Sequence, residues 1–120
     1  MAAGDVSTLK KFRDPIVAIS AWAATTCYVI TKGGQLSSYT IAGGAVAAIS
    51  HIRGDVKCMY TDNTTIYLGM GDGRLMSYTI ATKVNSILKR FDSAIVDLNI
   101  LSTLLYIGTA DGRLHTYAIS

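Results

Sequence analysis

Two aspartates have the surroundings that most resemble a chemical site. Asp72 lies in the segment GMGDGR and Asp111 in GTADGR, each directly before a glycine. A catalytic carboxylate needs an acid or base partner within reach, and neither segment supplies one. No helix follows that could bind a phosphate at its N-terminus. Asp before Gly is typical of tight turns, because Asp makes local hydrogen bonds and Gly accepts a positive φ. We therefore interpret both aspartates as turn residues.

Histidine, cysteine and serine offer no second candidate for chemistry. His51 and His115 occupy different positions in their segments, and neither has neighbours at metal-ligand spacing, so we expect no metal site. Cys27 and Cys58 are interpreted as buried apolar residues rather than as a disulfide or a metal pair. The nucleophile motif Gly-x-Ser-x-Gly is absent from the sequence. We expect no catalytic residue, no cofactor and no enzymatic activity.

The turn segments belong to a repeat with a period of 39 residues, the spacing that separates Gly34, Gly73 and Gly112. The repeated segments are TCYVITKGGQLSSYTI (26–41), TIYLGMGDGRLMSYTI (65–80) and LLYIGTADGRLHTYAI (104–119). A period of this size is typical of repeat proteins that stack one small unit on the next. We expect one domain, 1–120, with approximate repeats 4–42, 43–81 and 82–120.

Each repeat predicts four short β-strands and no helix. The repeated segment supplies a hairpin rich in β-branched and aromatic residues, with glycine in its turn. Before each hairpin come an outer strand and then an inner strand, and the 39-residue period aligns Val17, Val56 and Ile95 in the inner ones. The predicted outer strands are 5–12, 44–51 and 83–90, and the predicted inner strands are 16–21, 56–60 and 95–99.

The hairpins resemble a known family. GMGDGRLMSYTI and GTADGRLHTYAI are similar to the end of a WD repeat, Gly-x-x-Asp-Gly-x-Leu-x-x-Trp-Asp, with Tyr78 and Tyr117 at the tryptophan position. A quinoprotein-type repeat, Tyr-x-Gly-x-x-Asp-Gly-x-Leu, is the second resemblance. Both resemblances imply an all-β propeller of four-stranded antiparallel blades, three per chain. The WD resemblance implies a non-catalytic protein-interaction scaffold. The alternatives are a ligand-binding or enzymatic ring, quinoprotein-like or lectin-like, and an engineered or fragment-derived assembly without a native partner.

Three blades are too few for a closed ring, because propellers typically have 4 to 8. We expect a homodimer with six blades, in which strand 5–12 of each copy completes the last blade of the other by strand addition. A homotrimer is the second possibility, and blades from a longer propeller are the third.

Basic residues concentrate on one expected face of the propeller. Loops from outer to inner strands open on the same face as the hairpin turns, and together they carry nine of the eleven basic residues. This face predicts docking of an acidic or phosphorylated protein segment, with a solvated rim as the alternative. Aromatic residues are few there, so we do not expect nucleic acid as a partner. The predicted binding residues are Lys11, Arg13, Lys32, Arg53, Arg74, Lys89, Arg90 and Arg113, and the predicted turn residues are Gly34, Asp72, Gly73, Asp111 and Gly112.

Neither a secretory signal nor a transmembrane segment is expected. The N-terminal segment MAAGDVSTLKKF has no apolar core, and no run of the sequence approaches 18 apolar residues. We expect a cytoplasmic protein that does not bind membranes.

Overall fold

Three antiparallel sheets make up the computed structural model, which describes residues 12, 14–22, 25–40, 43–62 and 64–119. We call the sheets blades 1, 2 and 3. Blade 1 contains β1 (Ile16–Trp22), β2 (Thr26–Thr31), β3 (Gln35–Thr40) and β4 (Val46–His51). Blade 2 contains β5 (Val56–Asp62), β6 (Thr65–Met70), β7 (Arg74–Thr79) and β8 (Val84–Arg90). Blade 3 contains β9 (Ile95–Leu101), β10 (Leu104–Thr109) and β11 (Leu114–Ala118).

Every strand pairs with its neighbour in sequence, so each blade is a meander. The β2–β3, β6–β7 and β10–β11 turns contain Gly34, Gly73 and Gly112, all with φ between 86° and 92°. Glycine adopts this conformation without the steric cost that a side chain brings. The predicted fold class, an all-β protein built of antiparallel propeller blades, is confirmed. Ring closure stays a prediction, and the segment 5–12 lies outside the described residues apart from Phe12.

Strand β1 departs from the 39-residue period by one residue. Ala18 pairs with Ile30 in blade 1, whereas Cys58 pairs with Gly69 in blade 2. The structural counterpart of Val56 is therefore Ile16, and the predicted alignment of Val17 with Val56 and Ile95 is wrong. The cause is the β1–β2 connection, which has three residues (23–25) where the β5–β6 connection has two (63–64).

The core consists of two layers, one on each side of blade 2. Each fully buried aliphatic or aromatic side chain in such a layer contributes about 1.5–3 kcal/mol. Blade 2 packs against blade 1 on one face and against blade 3 on the other. Blades 1 and 3 each pack against blade 2 with one face only. The layer between blades 1 and 2 includes Ile30, Leu36, Ile52, Val56, Met59, Leu68, Met70 and Tyr78. The layer between blades 2 and 3 includes Cys58, Tyr67, Leu75, Ile95, Leu98, Leu105 and Ile107.

Candidate functional site: a basic loop face

The hairpin turns and the loops that enter each blade lie together at one end of the sheets. One backbone hydrogen bond recurs in all three blades, joining the turn to the residue before the inner strand. Gly71 N donates to the carbonyl oxygen of Asp55 at 2.6 Å, and Ala110 N to that of Ala94 at 2.8 Å. In blade 1 the same bond joins Lys32 N to the Pro15 oxygen at 2.8 Å. The turns and loops therefore share one face.

A second set of contacts ties the end of each outer strand to the same turns. Ile52 N donates to the oxygen of Gly34 at 2.7 Å, and Phe91 N donates to the oxygen of Gly73 at 2.8 Å. Between blades, Nη2 of Arg74 lies 3.5 Å from the Arg53 carbonyl oxygen. The result is a continuous row of turns and loops across the three blades, which we call the loop face.

Six of the eight predicted binding residues lie on the loop face, and the other two, Lys11 and Arg13, are outside the described residues. Five aspartates share this face, so its described part carries little net charge. The basic residues are Lys32 in the β2–β3 turn, Arg53 in the β4–β5 loop, Arg74 at the start of β7, Lys89 and Arg90 at the end of β8, and Arg113 in the β10–β11 turn. The aspartates are Asp14, Asp55, Asp72, Asp92 and Asp111.

Two of the arginines are neutralised within their own turns. Nε of Arg74 donates to Oδ2 of Asp72 at 2.8 Å, and Nε of Arg113 lies 3.5 Å from Oδ2 of Asp111. The Thr109 hydroxyl also donates to the Asp111 carboxylate and lowers the pKa of that group. Both aspartates thus bind to partners inside the turn. Their bonds stabilise the hairpin ends and reduce the charge that Arg74 and Arg113 offer to a ligand.

The remaining cations are exposed. Among the described residues Lys32, Arg53, Lys89 and Arg90 form no salt bridge. Arg90 lies directly opposite Arg74 in the β7–β8 ladder, next to Lys89. The positive charge of the loop face is therefore concentrated at the end of β8.

A cleft of about 240 Å³ opens beside these residues, between blades 2 and 3. One of its walls is a tilted ring contact between Phe91 and His115, whose centroids are 4.7 Å apart. Neither residue is among the predicted site residues, because His115 has no neighbours at metal-ligand spacing and Phe91 is an isolated aromatic in its loop. Lining the cleft are Lys89, Arg90, Phe91, Asp92, Ser93, Thr109, Asp111, Arg113 and His115.

Other kinds of site find no support in the described part of the chain. No three side chains of His, Cys, Asp or Glu come close enough there to hold a metal ion. The thiols of Cys27 and Cys58 are both free. Nε2 of His51 lies 2.7 Å from the Gly33 carbonyl oxygen, so this nitrogen serves as a hydrogen-bond donor within the fold. Within the same residues, no helix has the length and apolar character needed to cross a membrane.

No known protein family and no curated protein sequence matches the chain. Solved structures do share its fold. The WD40 β-propeller domain of Doa1 superposes with a TM-score of 0.78 at 11% identity, covering 93% of this chain and 40% of that one. The computationally designed protein Ika8 gives 0.72 at 21% identity, covering 87% and 33%. The computationally designed protein Ika4 gives 0.65 at 12% identity, covering 99% and 100%.

This chain spans a third of the length of Ika8 and less than half of the Doa1 domain. At these identities the likeness shows the fold alone. The chain therefore has the β-propeller fold, with a loop face whose exposed cations border a cleft between blades 2 and 3.

Proposed function

We propose that this chain is a non-catalytic protein-interaction scaffold of the WD-repeat type, which docks an acidic or phosphorylated segment of a protein partner on its loop face. The observation that carries the proposal is the pair of exposed cations at the cleft, Lys89 and Arg90, which form no salt bridge with any described residue. A protein surface usually pairs or disperses its like charges. Two adjacent cations beside a cleft favour an anionic ligand.

The cleft offers the chemistry that a carboxylate or phosphate needs. Arg90 can bind an anion through two parallel N–H donors, and Lys89 adds a compact positive charge. His115 adds a ring nitrogen to the same wall. Of the two aspartates in the cleft, Asp111 is bound to Thr109 and Arg113, which leaves Asp92 as the carboxylate that opposes an incoming anion.

The proposal includes self-assembly. A propeller ring needs more than three blades, so the scaffold acts as a ring that two copies close, with three blades from each. Such a ring would display two loop faces around one channel, and an acidic partner with two binding segments would gain avidity from them.

The experiment that tests the docking site is the salt-dependent binding of a fluorescent acidic peptide. Lys89→Gln/Arg90→Gln should weaken binding of an Asp-rich or phosphoserine peptide by about tenfold or more, since two charges close to the ligand are lost. Asp92→Asn should tighten binding. The control is Lys83→Gln, which removes one cation from the opposite end of β8. Equal affinities of the double variant and the control would overturn the docking site.

An engineered or fragment-derived propeller without a native partner is the second candidate, and the likeness to the designed proteins Ika8 and Ika4 is consistent with it. In that case the native chain would bind the acidic peptides no more tightly than the double variant does.

A further inference from the structure

We infer that the two open apolar faces of this chain bind each other between copies, with Ile16 of one copy packed on Gly108 of the next. This inference rests on the self-assembly proposed above, and it names the surfaces that make the contact. It adds a side-chain interface to the strand addition that the sequence predicts.

The contact between blades 2 and 3 provides the template. Gly69 in β6 lies under Ile95 in β9, so closely that a Cβ on Gly69 would be 2.5 Å from Cγ2 of Ile95. Gly108 is the counterpart of Gly69 one blade further along. Within the described part of the chain, a Cβ on Gly108 would meet one atom, Cγ2 of Val96 at 4.0 Å. The space that Ile95 fills above Gly69 is therefore open above Gly108.

This open space is part of a cleft on the outer face of blade 3. The cleft measures about 200 Å³ and is lined by Asp97, Leu98, Asn99, Tyr106, Gly108 and Leu114. Leu114 is 75% exposed, whereas its counterparts Leu36 and Leu75 are completely buried by the next blade. Blade 3 thus presents one half of a blade interface.

The other half is on blade 1. Ile16 is 49% exposed, whereas its counterparts Val56 and Ile95 are 4% and 0% exposed. Ile19 is 61% exposed, whereas its counterparts Met59 and Leu98 are 7% and 5% exposed. Exposure of Ile16 and Ile19 to water costs about 25 cal/mol for each Å² of apolar surface that a neighbouring blade would bury. Blade 1 therefore presents the surface that a preceding blade would cover.

Side-chain sizes match the two faces to each other. Where blade 1 meets blade 2, Ile30 occupies the position of Gly69 and lies in one cluster with the smaller Val56. Where blade 2 meets blade 3, the small Gly69 contacts Ile95, which is larger than Val56. By the same size relationship, we expect an isoleucine to pack on Gly108. The counterpart of Val56 and Ile95 on the open face of blade 1 is Ile16.

A second pair follows the same pattern. Leu36 and Met59 belong to one core cluster, and Leu75 and Leu98 belong to the other. The counterparts on the open faces are Leu114 and Ile19. The occupant of each face is therefore a second copy of this chain, since the faces are the two halves of an interface that the chain already forms twice. In a two-fold ring both contacts form simultaneously.

Asp97 is a charged residue on the blade 3 face, at the place of the buried Cys58. Its Oδ1 accepts a hydrogen bond of 2.9 Å from the backbone nitrogen of Leu98, which keeps one carboxylate oxygen paired. Because covering a carboxylate is costly, Asp97→Ala should strengthen self-association.

Cysteine cross-linking of the 120-residue chain tests the inference. In a background with Cys27→Ser and Cys58→Ala, the variant Ile16→Cys/Gly108→Cys should form intermolecular disulfides under mild oxidation. At the template contact the built Cβ of Gly69 lies 3.0 Å from Cβ of Ile95, so the two faces need to move apart by only about 0.5–1 Å to reach the roughly 3.5–4.5 Å between disulfide-bonded Cβ atoms. The control is Val84→Cys/Gly108→Cys, because Val84 matches Ile16 in exposure but lies on the outer strand β8.

Each result has a distinct meaning. Cross-linked dimers or trimers at least tenfold above the control support the contact. An oligomer by light scattering whose cross-linking equals the control overturns the contact but leaves self-assembly standing. A monomeric native chain overturns both, and the peptide-binding experiment still tests the loop face independently. If the cysteine background does not fold, the contact is tested instead with the variants Ile19→Asp and Leu114→Asp, each made in the native chain. Both substitutions are at exposed residues, so the chain should still fold. Each should weaken self-association at least tenfold. Unchanged self-association would overturn the contact.

Discussion

Ile95 packs directly on the backbone of Gly69. The position that a Cβ of Gly69 would take is 2.5 Å from Cγ2 of Ile95 and also 2.5 Å from Sγ of Cys58. Blades 2 and 3 are thus as close at this point as their backbones and side chains permit. The glycine is required by its neighbours, and its φ is not positive.

Gly69→Ala should destabilise the protein because the new methyl group has no space. Overpacking of this kind costs about 1–3 kcal/mol. The measurement is the midpoint of urea unfolding at a fixed protein concentration. Gly43→Ala is the control, since a Cβ there meets no atom of a described residue within 4 Å. Equal midpoints for the two variants would show that blades 2 and 3 are not in close contact at Gly69.

Gly73 and Gly112 occupy the same turn position in two blades but have different surroundings. Both have positive φ, at 92° and 86°. A Cβ on Gly73 would collide with the Phe91 carbonyl oxygen, whereas one on Gly112 meets none of the described residues within 4 Å. Gly73→Ala should therefore lower the free energy of unfolding by more than Gly112→Ala, which bears only the backbone cost of about 1 kcal/mol. Thermal unfolding of the two variants gives the comparison.

The same comparison bears on strand exchange. If segment 5–12 of a second copy pairs with β11, Gly112 gains a neighbouring strand like the one that Gly73 already has. The difference between the two variants should then shrink as protein concentration rises. A difference that stays constant over a hundredfold range of concentration would speak against the exchanged strand.

Tyr78→Phe should stabilise the chain. Tyr78 is completely buried, and among the described residues its hydroxyl has no hydrogen-bond partner. A buried hydroxyl without a partner costs about 1–3 kcal/mol, so its removal should raise the free energy of unfolding by about 1 kcal/mol. Tyr39→Phe is the control, because Tyr39 is half-buried at the equivalent position. A lower unfolding midpoint for Tyr78→Phe would mean that the hydroxyl makes a stabilising bond.

Cys58 should make stability depend on pH in the alkaline range. Burial and, to a smaller extent, the Asp97 carboxylate raise the pKa of its thiol from 9.0 to about 12. The folded state therefore retains a proton that the unfolded state releases, and stability should decline as pH rises from 9.0 towards about 12. Cys58→Ala should remove this part of the decline, measured by urea unfolding at several pH values. Cys27→Ala is the control and should keep the decline; equal pH profiles would contradict the burial of Cys58.

The repeat pattern predicted most of the fold because each hairpin contains its own signals. Gly34, Gly73 and Gly112 marked the turns, and β-branched residues marked the strands beside them. The position of β1 could not be predicted, since the extra residue of the β1–β2 connection becomes visible only when Ala18 is seen to pair with Ile30. Strand pairing, and not local propensity, sets that alignment.

The candidate site was predicted in part. In a propeller the hairpin turns and the loops from outer to inner strands lie at the same end of the sheets. The sequence could therefore assign Arg53, Arg74 and Lys89 to one face. The pairing of Arg74 with Asp72 depends on turn geometry, and the Phe91–His115 contact depends on how blade 3 packs on blade 2. Neither can be read from spacing, so the sequence overestimated the charge available to a ligand and missed the cleft.

The molar mass of the 120-residue chain in solution tests most directly whether two copies close the ring. Light scattering on a sizing column, over a range of concentrations, should give twice the chain mass of 12.8 kDa. Ile19→Asp should shift the mass towards that of one chain. A native chain that stays at 12.8 kDa at the highest concentration would contradict the account, because its open faces would then need no second copy.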